Sequence, residues 1–124
     1  MSGNYIVGIR LFVDHSVNGE AVASATDGMN ILLEGVAKDW RFESLQYWKI
    51  PEYQELYWVS EVSVGEVNLE EEFARICSLF PVNWLKLGQP RDLDAIWNKE
   101  NDVLLAPEVK WAHINVYRAP PKGS

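Results

Sequence analysis

Cysteine and histidine are nearly missing from this chain of 124 residues, which holds one of the first and two of the second. Cys77 alone excludes an intramolecular disulfide and a thiolate zinc site within the chain. The sequence has no glycine-rich phosphate loop, and no apolar run approaches the length of a membrane span. Its start, Met1-Ser-Gly-Asn-Tyr5, lacks the basic residues and apolar run of a secretory signal, so a soluble, cytoplasmic protein is expected. Positive charge is scarce too. Eleven lysines and arginines face 18 aspartates and glutamates, a formal net charge of −7. That balance opposes binding to nucleic acid or to an anionic membrane. Between Lys49 and Arg75 there is no basic residue at all.

What the chain has in quantity is carboxylates and rings. The gap in basic residues holds Glu52, Glu55, Glu61, Glu66, Glu70, Glu71 and Glu72, interleaved with Tyr53, Tyr57 and Trp58. An acidic surface with aromatic anchors suits a basic protein partner, because charge steers the encounter and buried rings supply contact energy. Glu70, Glu71 and Glu72 have a simpler explanation as acids in the first turn of a helix, where the macrodipole favours them. The other four stand beside rings. Six tryptophans and five tyrosines are heavy usage; some belong to a core, and several are expected on a binding surface.

Hydrophobic content of 48% with 23% charged residues is that of a globular chain, and the length fits a single domain over 1–124. The tail 119–124 is expected to be disordered. Residues 5–13 read as a strand, with Tyr5, Val7, Ile9, Leu11 and Val13 on one face and Gly8, Arg10 and Phe12 on the other. Helical spacing of apolar residues follows over 20–38. Residues 41–50 and 54–64 read as strands joined by a turn around Pro51. Asn68 and Glu71 form a capping pair that opens a helix closed by Pro81. A short strand is expected over 83–87, helical turns over 90–97, and a closing strand over 109–117. The order predicts an α+β fold: a single, mostly antiparallel sheet with two helices on one face, ferredoxin-like (split βαβ), with an extra C-terminal strand. The other sheet face, open by this reading, collects Tyr47, Tyr57, Glu61, Trp111, His113 and Tyr117.

No catalytic constellation emerges. Cys77 falls on the apolar stripe of the second helix with Phe73 and Phe80, where a cysteine is an inert core residue. His15 and His113 stand in no recognisable motif. Asp92-x-Asp94 lacks the glycine and terminal glutamate of a calcium loop. We therefore expect no enzyme, no metal and no cofactor.

In size, acidity, the Tyr53–Glu61 stretch and aromatic strands, the chain resembles bacterial toxin immunity proteins of contact-dependent inhibition and related polymorphic toxin systems. The resemblance implies a cytoplasmic protein that binds the C-terminal domain of one cognate toxin, often a basic nuclease, and neutralises it. Glu52, Glu55, Glu61, Glu66, Asp92 and Asp94 would complement the toxin's basic residues, with Tyr53, Tyr57 and Trp97 as aromatic anchors. An alternative is a domain that binds single-stranded nucleic acid or a small ligand on the open aromatic sheet face. A homodimer joined sheet to sheet would use that same face.

Overall fold

The computed structural model describes residues 3–64, 68–89, 91–99 and 102–119. In chain order they form β1 (Gly3–Asp14), α1 (Ala21–Leu33), β2 (Arg41–Gln46), β3 (Tyr53–Val64), α2 (Leu69–Ser78), β4 (Leu85–Gln89), β5 (Asp92–Asn98) and β6 (Val109–Arg118). The fold is α+β, with one six-stranded antiparallel sheet in the order β2-β3-β1-β6-β5-β4 and two helices. No helix among the described residues is long and apolar enough to cross a membrane. Expectations for Glu66 and for 120–124 fall outside the described residues. Ala119 is held, its amide donating to the Asn4 carbonyl at 3.0 Å.

Alternation along β1 sets the layers. Tyr5, Val7, Ile9, Leu11 and Val13 are all buried, each aliphatic member contributing about 1.5–3 kcal/mol on transfer from water. Register places Leu56 and Trp58 of β3 and Ala112, Ile114 and Val116 of β6 beside them. Ala95 and Trp97 of β5 continue the same face. One core cluster joins this face to Ala25, Met29 and Leu33 of α1 and to Phe73, Ile76 and Cys77 of α2.

Both helices end on a tryptophan. The Trp40 indole donates to the carbonyls of Leu33 and Ala37, and the Trp84 indole to those of Cys77 and Phe80. Each indole thus adds a donor at a helix C-terminus, where the Leu33 and Cys77 carbonyls also accept from amides of the following turn. For α1 this fixes an earlier stop than the one expected at 38, and Val36 joins the core from the turn beyond. At the start of α2, Asn68 accepts from the Glu71 amide at 3.2 Å, as the capping pair predicts.

One expectation needs correction. Helical turns do not form in the described part of 90–97, because Asp92–Asn98 is strand β5, hydrogen-bonded to β4 on one side and β6 on the other. Leu93, Ala95 and Trp97 alternate with Asp92, Asp94 and Ile96, and two ladders outweigh the helix-start look of the aspartates. The closing strand forms as expected, as β6, and lies inside the sheet between β1 and β5, while β4 and β5 extend one edge. Gly88 makes that edge hairpin feasible. Its φ is +115°, and a Cβ there would lie 2.3 Å from the Asp92 carbonyl oxygen.

Candidate functional site

The second face of the sheet is half-exposed and chemically mixed. By register it carries Arg10 and Phe12 from β1, Glu55, Tyr57 and Glu61 from β3, and Trp111, His113, Asn115 and Tyr117 from β6. Arg41 and Glu43 of β2 and Asp92 and Asp94 of β5 extend it on either side. Five carboxylates (Glu43, Glu55, Glu61, Asp92, Asp94) thus meet two guanidinium groups (Arg10, Arg41).

Its centre is a polar network built over Gly8. A Cβ at Gly8 would stand 3.1 Å from the Tyr57 hydroxyl oxygen, so the absent side chain is what lets the phenol lie across β1. The Arg10 guanidinium lies over the Tyr57 ring, 4.6 Å from its centroid. Arg10 Nε is buried, has no hydrogen-bond partner among the described residues, and is 3.6 Å from Glu55 Oε1. Across β6, His113 Nε2 and Asp94 Oδ1 are 2.8 Å apart. Asn115 Nδ2 donates to Asp92 Oδ1 at 2.7 Å and to Asp94 Oδ1 at 2.9 Å. Asp94 is therefore fixed by two neighbours, and Asp92 and Asp94 accept from one amide. Gly8, Arg10, Tyr57, His113 and Asn115 line a small cavity of about 120 Å³. Arg41, Glu43, Tyr57, Val59 and Tyr117 border a second depression of about 280 Å³.

The end of the face nearest the β2–β3 turn is aromatic instead. Tyr47 stacks on Phe12 and Phe12 on Trp111, with centroids 4.4 and 4.8 Å apart. Trp48 projects from the turn, 80% exposed, with the Lys49 ammonium over its ring. A β-bulge shapes this end: Phe12 faces Trp111 and Val13 faces Val109, which leaves Lys110 as the extra residue.

Of the residues expected from sequence, Glu55, Tyr57, Glu61, Asp92 and Asp94 are brought together on this face. Tyr53 borders its aromatic end. Glu52 is exposed in the turn before β3, its carbonyl accepting from the His15 amide. Trp97 requires correction: it is a core residue, 1% exposed, and its indole donates to Asp102 Oδ1 at 2.7 Å. A bond from the Asn83 amide and, after it, the one from Trp97 hold the Asp102 carboxyl below its usual range. Arg10, Phe12, Asn98 and Lys110 were not anticipated. For Arg10 and Phe12 the one visible signal is a central strand whose second face reads Gly8-x-Arg10-x-Phe12, too polar for a core.

Elsewhere the side chains are quiet. Burial pushes the Cys77 thiol up to about 11, so it stays protonated in the neutral range. Among the described residues there is no group of three or more His, Cys, Asp or Glu side chains placed to hold a metal ion. No protein-family model, curated protein or solved structure matches the chain, so a functional reading rests on these residues alone.

Proposed function

We propose that the protein binds a basic protein partner through the half-exposed sheet face, as an immunity protein that neutralises a cognate toxin domain. The observation that carries this reading is the alignment of Glu43, Glu55, Glu61, Asp92 and Asp94 on one face together with Tyr57, Trp111 and Tyr117. Carboxylates held on strands attract lysines and arginines at a distance, while the rings supply the short-range energy. The same carboxylates repel a polyphosphate, which disfavours single-stranded nucleic acid on this surface. We further read β2-β3-β1-β6, with α1 after β1 and α2 after β3, as a ferredoxin-like split-βαβ unit with both helices on the buried side. In that reading the β4–β5 hairpin widens the binding face.

The test is co-expression with the C-terminal domain of the protein encoded immediately upstream, then purification and titration of the pair. A stoichiometric complex in the nanomolar range, with growth rescued, supports the reading. No complex, together with no toxicity from that domain, removes it.

A further inference from the structure

The aromatic end of the face borders an open cavity of about 570 Å³, a size that holds a small organic molecule. Its walls are Phe12, Tyr47, Tyr53 and Trp111, with Ile50, Asn98 and Lys110. The planes of Tyr47 and Trp111 lie within 19° and 24° of Phe12. Because each ring stacks on the next, both faces of Phe12 are covered and the stack turns ring edges to the cavity, which the face of a flat ligand ring meets edge-to-face.

Charge adds a second requirement. Successive residues of a regular strand point to opposite faces, yet Lys110 and Trp111 line the same cavity because the bulge re-aims the lysine. Lys99 lies alongside: its amide donates to the Lys110 carbonyl at 3.3 Å and its ammonium to the Pro107 carbonyl at 2.6 Å. Desolvation and the neighbouring Lys110 lower the pKa of Lys99. Among the described residues neither lysine takes part in an ion pair. Glu108 acts on Lys99 and Asp14 on Lys110 through space, but neither lies within ion-pair distance, so the two cations stand together beside the aromatic cavity.

We propose that this cavity binds a small planar aromatic carboxylate, with its ring laid across the edges of Phe12, Tyr47 and Trp111 and its carboxylate at Lys110, with Lys99 alongside.

Naphthoate and uncharged naphthamide serve as probes, each titrated into the full chain and followed by indole N–H signals in NMR spectra. The Trp111 signal is assigned by its loss in Trp111→Phe. Naphthoate is expected to saturate, shifting Trp111 and leaving buried Trp97 in place. Lys110→Met should weaken naphthoate roughly tenfold, and Lys99→Met a few-fold, because each removes a charge-assisted bond. Neither should alter the weaker binding of naphthamide. An unchanged Trp97 signal certifies that each variant is folded. Equal affinity for the two probes, or no effect of either lysine variant, or shifts confined to other indoles, would overturn the proposal.

Discussion

Trp58 and Trp97 on one side of the sheet, and Trp48 and Trp111 on the other, are the same residue put to opposite use. On the buried side each indole N–H has a partner, Asn30 Oδ1 for Trp58 and Asp102 Oδ1 for Trp97, and each ring is at most 1% exposed. On the other side neither indole N–H donates to any described residue, and the rings lie against Phe12, Tyr47, His113 and the Lys49 ammonium. A satisfied, enclosed ring can only stabilise the fold. A stacked ring with an open edge and an unused donor retains the capacity to meet another molecule. The difference marks one face as structural and the other as available.

Removing one ring from each side is the strongest way to break this contrast. Trp97→Ala empties a core site and strands Asp102, so a loss of about 3–5 kcal/mol is expected in urea unfolding. Trp111→Ala removes one ring stack from a half-exposed site and should cost about 1–2 kcal/mol, while abolishing binding at the face. Similar losses for the two variants would erase the distinction.

The buried side can also be addressed through pH. Burial and the Glu72 carboxylate push the Tyr5 hydroxyl up to about 12, with Tyr5 Oη donating to Glu72 Oε2 at 2.8 Å. A tyrosine raised above its unfolded value of about 10 favours the neutral form in the folded state. Its contribution is complete below that unfolded value and is lost as pH rises from there through about 12. Wild type should therefore lose about 2 kcal/mol more than Tyr5→Phe across this window, read as the difference in urea midpoints. Parallel pH profiles for the two proteins would show that Tyr5 does not couple folding to alkaline pH.

The mildest substitution falls on the polar centre. Gly8→Ala brings a methyl group into contact with the Tyr57 ring and hydroxyl, displacing the phenol from Arg10. The expected cost is about 1 kcal/mol in stability, with weaker partner binding and an intact aromatic end. If partner affinity and naphthoate affinity fall together, the face works as one site and not as two.

Much of this division was legible from alternation alone. Tyr5-x-Val7-x-Ile9-x-Leu11 against Gly8-x-Arg10-x-Phe12 assigns both faces of β1, and Ala112-x-Ile114-x-Val116 does the same for β6. Asn68 and Pro81 bound α2 by local chemistry that needs no tertiary context. Trp97 defeated the reading for a physical reason. It lies among mixed neighbours, and only the pairing of β5 with β6 decides which face it joins. The period-2 pattern of β5 was hidden because Asp92 and Asp94 also suit a helix start. Lys110 was invisible for a related reason: a bulge is a mismatch between two strands, and one strand's sequence does not display it.

The central claim is that the sheet face, and not the protein's acidity in general, recognises the partner. Two double charge reversals of equal size test it against the upstream-encoded domain. Glu43→Lys with Glu61→Lys alters the face, and Glu70→Lys with Glu71→Lys alters the first turn of α2. Association rates at low salt should fall by roughly tenfold or more for the face pair and by no more than about twofold for the helix pair. Equal slowing by the two pairs, or a larger effect from the helix, would contradict the account.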